Sequence, residues 1–123
     1  MVLVDDNADF LKQAAAFLGE LAEAELVGVA RSGPEALELL EQLEADLIAV
    51  DLVMPGMGGL ELTSRLRTRH PELLVAVVSL HDGEEYRRAA LEAGAAALVP
   101  KAVFVAVLPH LLRVASARRA RAG

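Results

Sequence analysis

Apolar positions follow two different periods along this chain. Short apolar runs of strand length occupy residues 1–4, 25–30, 47–51, 73–79 and 95–99. Between them, apolar residues recur every three to four positions, the spacing of one helix face. Phe10, Ala14, Phe17 and Leu21, widened by Leu11 and Leu18, predict the first helix, with Asp6 or Asn7 as its cap. Ser32-Gly33-Pro34-Glu35 has capping-box spacing and opens a second helix that buries Ala36, Leu37, Leu40 and Leu43. Residues 58–70 predict a third helix, anchored by Leu60, Leu62 and Leu66, with Arg65, Arg67 and Arg69 directed to solvent. Residues 83–93 predict a fourth, closed by Gly94. In residues 102–121, Pro109 cannot sit in a regular helix without removing a donor and crowding the turn before it. The helix there is either kinked at Pro109 or begins near it.

This alternation of strand and helix, repeated five times, predicts an α/β fold: a doubly wound parallel sheet with helices on both faces and right-handed crossovers. At 123 residues the chain is expected to be one domain, residues 117–123 forming a basic tail or the start of a linker. The absence of cysteine excludes a disulfide framework and thiolate metal sites. A net charge of −6 argues against direct nucleic-acid binding by this domain. No apolar run approaches the ~20 residues of a membrane span, and no basic region precedes the apolar start. A soluble, cytoplasmic location is expected.

The centre of the chain is Leu47-Ile48-Ala49-Val50-Asp51, followed at once by a turn rich in Pro and Gly, residues 54–59. Four consecutive apolar residues suit a strand buried on both faces, and Asp51 is delivered to its carboxyl end. Other polar residues reach the same edge: Asp5 and Asp6 after the first strand, Ser79 at the end of the fourth and Lys101 after the fifth. Carboxylates gathered there repel one another and call for a cation. An all-oxygen donor set without His or Cys suits a hard ion such as Mg2+. Metal, hydroxyl and lysine together suit a phosphoryl group, toward which an ionised aspartate acts as nucleophile.

The pieces Val4-Asp5-Asp6, Val50-Asp51 with Met54-Pro55-Gly56-Met57-Gly58-Gly59, Val78-Ser79 and Pro100-Lys101, with the distances between them, resemble the receiver domain of two-component response regulators over essentially the whole chain. The resemblance implies a flavodoxin-like three-layer sandwich with strand order 2-1-3-4-5. It implies Asp51 as phosphoacceptor, and Mg2+ held by Asp5, Asp6, Asp51 and the backbone carbonyl of Val53. Ser79 would be the switch hydroxyl, with Lys101 pairing with the phosphoryl group. It also implies a histidine kinase as donor. Ser79-Leu80-His81-Asp82 and Glu84-Glu85-Tyr86 look most like receivers that precede a helix-turn-helix, so a C-terminal DNA-binding output domain is the further partner in a longer protein.

Three places depart from the family pattern. Leu98 stands where an aromatic usually reports activation, Leu80 is bulky where a small residue is common, and an apolar run, Val103 to Leu108, follows Lys101. Exposed apolar surface of that kind marks interfaces, here a homodimer or output contact through the fifth-helix region. These departures motivate the rival reading, a phosphorylation-independent receiver acting as a binding module. A Mg2+-dependent phosphatase would want a second acid at Val53, and a flavin protein a phosphate loop in place of Asp5-Asp6-Asn7. The remaining chemistry-bearing residues read as background. His81 is a loop residue, His70 and His110 have no ligand partner, and Arg113, Arg118, Arg119 and Arg121 complement a helix end. The domain is not expected to be an enzyme beyond assisting its own phosphoryl transfer and dephosphorylation.

Overall fold

A computed structural model describes residues 1–81 and 83–122, with side chains described to residue 120. The elements run β1 (Val2–Val4), α1 (Ala8–Gly19), β2 (Gly28–Ala30), α2 (Gly33–Gln42), β3 (Leu47–Asp51), α3 (Gly59–Arg69), β4 (Leu74–Ser79), α4 (Glu84–Ala93), β5 (Ala97–Pro100), a 3-10 turn (Lys101–Val103) and α5 (Phe104–Ala122). The strands form one parallel sheet in the order β2-β1-β3-β4-β5. This is the doubly wound fold expected from the alternation.

Strand pleating sorts the core into two faces. Leu3, Leu47, Ala49, Leu74, Ala76 and Val78 pack on one side with Leu11, Ala14 and Leu18 of α1 and Phe104, Leu108 and Leu111 of α5. Val2, Val4, Ile48, Val50 and Val75 pack on the other with Leu37 and Leu40 of α2 and Leu62 and Leu66 of α3. A smaller cluster, Leu52, Val77, Ala90 and Ala95 with half-buried Leu98, seats α4. Alternation along each strand therefore fixes which helix covers it, and the polar residue ending each strand is left at the sheet edge.

The caps follow local chemistry. The Asn7 side chain, and not that of Asp6, accepts the Phe10 N–H at 3.1 Å and starts α1. Ser32 Oγ accepts the Glu35 N–H at 3.2 Å, while the Glu35 carboxylate reaches one residue beyond the usual box to the Arg31 N–H at 3.3 Å. Gly94 ends α4 at φ 108°, a left-handed conformation that a residue without Cβ adopts freely.

Several sequence expectations shift. The first helix stops at Gly19, so Leu21 lies beyond it, although both Phe17 and Leu21 still pack on the core. The second strand begins at Gly28 instead of residue 25, and the fifth covers Ala97–Pro100 instead of residues 95–99. Arg67 is half-buried instead of directed to solvent: its guanidinium donates to the Pro71 carbonyl at 2.7 Å and its stem covers Gly94. Of the two readings at Pro109, a helix beginning there does not hold: α5 starts at Phe104 and runs through Pro109. The carbonyl of Val105, which has no N–H of residue 109 to accept from, belongs to an exposed residue. Fully buried Phe104 and Leu108 hold that turn on the sheet. The apolar run from Val103 to Leu108 is thus partly core, leaving Val103 and Val105 exposed. The backbone of residues 117–122 forms the last part of α5. Asp82 and the Arg121 side chain lie outside the described residues.

Candidate functional site

Asp5, Asp6, Asp51, Ser79 and Lys101 meet at the carboxyl edge of the sheet. Adjacent strands place them there: Val4 pairs with Val50, Asp51 with Val78, and Ser79 with Pro100. Asp5, Asp51 and Ser79 are buried, Lys101 is half-buried and Asp6 is exposed. Asp6, Asn7, Asp51, Val53, Ser79, Leu80, His81 and Lys101 line an open cavity of about 470 Å³.

The Lys101 ammonium lies 2.9 Å from Asp5 Oδ2 and 3.7 Å from Asp51 Oδ1. The Asn7 N–H donates to Asp5 Oδ1 at 2.8 Å and orients that carboxylate. Asp51 carries the visible electrostatic cost. Burial, then the Asp5 charge, push its carboxyl from 3.8 up to about 6; Lys101 pulls it down, and Asp6 adds to the rise. One lysine does not neutralise three acids.

The missing charge indicates what else belongs here. One oxygen from each of Asp5, Asp6 and Asp51 can lie within 4.8 Å of the others, the only such acidic or histidine cluster among the described residues. Asp5 Oδ2 is fully buried yet receives no well-directed hydrogen bond, even with Lys101 alongside. A buried, under-satisfied carboxylate oxygen among hard donors fits a divalent ion of the Mg2+ type.

The turn after β3 keeps Asp51 in place. The Leu52 N–H donates to the Val78 carbonyl at 2.9 Å, and the Gly59 N–H to the Leu52 carbonyl at 2.9 Å. A Cβ on Gly59 would come 2.2 Å from the Asp51 carbonyl oxygen, so only glycine lets α3 start this close to β3. On the facing wall, Ser79 Oγ accepts the His81 N–H at 2.8 Å, which leaves the hydroxyl proton to donate into the cavity. Leu80 is 81% exposed and Val53 63% exposed, so both stand as apolar lips instead of closing over Asp51. His81 stacks on Tyr86 with ring centroids 5.0 Å apart. Leu98, in β5 opposite Val77, is a half-buried core residue.

Residues 1–113 match the response regulator receiver domain. The chain belongs to that family. It is 32% identical over 114 residues to the response regulator GacA of Pseudomonas viridiflava, an alignment covering 92% of this chain and 53% of the relative. It is 39% identical over 113 residues to the transcriptional activator protein ExaE of Pseudomonas putida, again covering 92% and 53%. The chain thus spans about half the length of the curated relatives it matches. Among solved structures, the signal receiver domain of NarL from Mycobacterium tuberculosis superposes with a TM-score of 0.86 at 28% identity, over 94% of each chain.

The sequence-predicted site residues of this receiver domain come together as a set. Two contributors were not visible in the sequence. Phe10, read there as core stripe, places its ring 4.7 Å from the Lys101 ammonium. Arg31 donates to the Asp6 carbonyl at 3.1 Å and ties the acidic loop to the end of β2. No local motif announces either one. The larger open groove of about 590 Å³ lies at the other end of the sheet, among residues 40–46, 70–73 and Arg119. His70 half-buries beside it, Arg119 pairs with Asp46 at 2.9 Å, and His110 is exposed on α5. Among the described residues, no helix is long and apolar enough to cross a membrane.

Proposed function

We propose that this receiver domain accepts a phosphoryl group on Asp51 from a histidine kinase and uses it to switch a protein-interaction surface. The observation that carries this reading is the Lys101 ammonium set between Asp5 and Asp51, with the Ser79 hydroxyl on the neighbouring strand. An Asp51 carboxylate oxygen attacks phosphorus, forming the O–P bond. The N–P bond of the donor phosphohistidine breaks, and the imidazole nitrogen keeps the electron pair. Lys101 compensates charge on the phosphoryl oxygens, and Ser79 donates a hydrogen bond to one of them. Mg2+, held by Asp5, Asp6, Asp51 and the Val53 carbonyl, would supply the remaining positive charge against those oxygens. The domain assists only this transfer and its hydrolytic reversal, and is not otherwise an enzyme.

Phosphorylation turns a singly charged carboxylate into an acyl phosphate carrying close to two negative charges, a net gain of about one at the edge of β3. Drawing Ser79 toward them moves the start of the β4–α4 connection and, through it, the face formed by α4, β5 and α5. With Leu98 replacing the usual aromatic, the signal passes through an aliphatic contact to Val77 and Ala90. The exposed Val103 and Val105 make the start of α5 the contact surface, for a second copy of the chain or for a C-terminal DNA-binding output domain in the longer protein. The setting is cytoplasmic, where such kinases deliver phosphate, and nucleic acid is not bound by this domain itself.

Intact-mass measurement with a small phosphodonor such as phosphoramidate tests the reading. A single phosphoryl adduct that forms with Mg2+ and fails to form with a chelator is expected. No adduct under either condition would favour the phosphorylation-independent binding module.

A further inference from the structure

Lys101 presents a mechanical problem. Its ammonium rides on a flexible four-carbon stem, and three carboxylates compete for it within the same small volume. Charge alone does not select one resting place, because moving toward Asp6 and solvent would also be favourable. The contacts around Phe10 supply the missing constraint.

The Phe10 ring lies 4.7 Å, centroid to nitrogen, from the Lys101 ammonium. An ammonium at that distance from a ring is held by its π-electron charge, more strongly where water is excluded. Phe10 is held both at its backbone and at its ring. Its backbone N–H donates to Asn7 Oδ1, and the Asn7 N–H donates to Asp5 Oδ1, the carboxylate whose other oxygen faces Lys101. The ring packs against Phe104, with centroids 5.8 Å apart, and Phe104 is fully buried three residues after Lys101. A closed circuit results: Asp5 to Asn7, Asn7 to Phe10, Phe10 to Lys101, and Lys101 back to Asp5. The first turn of α1 and the β5–α5 junction are joined at one aromatic side chain.

We propose that Phe10 is a positioning residue that sets the Lys101 ammonium over Asp5 and Asp51, and thereby sets the rate of phosphoryl transfer to Asp51. The proposal rests on the phosphoacceptor reading above. Phe10 touches neither phosphorus nor the acceptor and acts entirely through Lys101. A leucine in its place fills much of the volume against Phe104 but offers the ammonium no π face. A tyrosine restores the face.

The test compares wild type, Phe10→Leu and Phe10→Tyr in two measurements. One is the rate of adduct formation with phosphoramidate and saturating Mg2+. The other is the proton NMR shift of the Lys101 ε-methylene, which ring current moves upfield when a ring sits beside it. Phe10→Leu is expected to slow phosphorylation by about fivefold to tenfold, and Phe10→Tyr to return it to within about twofold of wild type. The methylene shift is expected to be upfield in wild type and Phe10→Tyr and to relax in Phe10→Leu. Equal rates in all three proteins, or equal slowing by both substitutions, would overturn the proposal, since the latter marks a packing role alone. If wild type itself takes no phosphoryl group, the phosphoacceptor reading fails; the methylene shift then still decides whether Phe10 positions the ammonium.

Discussion

Replacing Asp51 with asparagine is expected to stabilise the metal-free domain at pH 7.5 by about 2–3 kcal/mol, roughly 8 °C in Tm. Burial and the Asp5 charge raise its carboxyl from 3.8 to about 6, so the folded chain binds that proton more tightly than the unfolded chain does. The resulting stability is fully present below about pH 4 and is lost as pH rises through about 6. Asparagine carries no charge to repel Asp5 and Asp6, and so avoids the loss. The gain of Asp51→Asn over wild type should therefore vanish near pH 4 and reach its full size above pH 7. Mg2+ should narrow the gap by binding the folded wild type and stabilising it through mass action. Thermal unfolding across this pH range, with and without Mg2+, checks each part. A variant less stable than wild type at pH 7.5 without metal would show that the buried charge is already compensated.

Gly59→Ala is expected to act in the opposite direction. The new Cβ would meet the Asp51 carbonyl oxygen at 2.2 Å and the Leu52 Cα at 2.8 Å. These are backbone atoms in the turn that holds Asp51, and they cannot rotate away as a side-chain tip would. Overpacking of this kind costs about 3 kcal/mol. Relief requires α3 to move off β3, which breaks the Gly59 N–H bond to Leu52 and displaces the acceptor. Phosphorylation should fall with stability, because one contact supports both. Gly19→Ala, where a Cβ meets nothing within 4 Å, serves as the neutral comparison in denaturant unfolding. A Gly59→Ala domain as stable and as readily phosphorylated as wild type would show that the turn adapts freely.

The acidic edge was legible in the sequence because every member directly ends or follows a strand. Once the apolar runs are placed, a parallel sheet carries Asp5, Asp51, Ser79 and Lys101 to one edge without further information. The strand order followed from the family resemblance, and the pairing of β1 with both β2 and β3 agrees with it. Helix ends were less legible, since they depend on which of two neighbouring polar residues reaches a free N–H: Asn7 does and Asp6 does not. Pro109 misled in part because tertiary burial of Phe104 and Leu108 outweighs one lost helical hydrogen bond. Phe10 was hidden for a different reason. Its spacing is that of an ordinary core residue, and only the approach of the β5–α5 junction, some ninety positions later, gives its ring a cation to hold. Arg67 looked like its solvent-facing neighbours until α4 ended against its stem at Gly94.

The claim that Asp51 forms an acyl phosphate is tested most directly by locating the label. Phosphorylated domain, trapped with hydroxylamine, would convert the acyl phosphate to a hydroxamate that peptide mass spectrometry assigns to one residue. Modification at Asp51 alone, absent when Mg2+ is withheld, is the expected result. Modification at Asp5 or Asp6, or a hydroxylamine-resistant phosphate on Ser79, would contradict it.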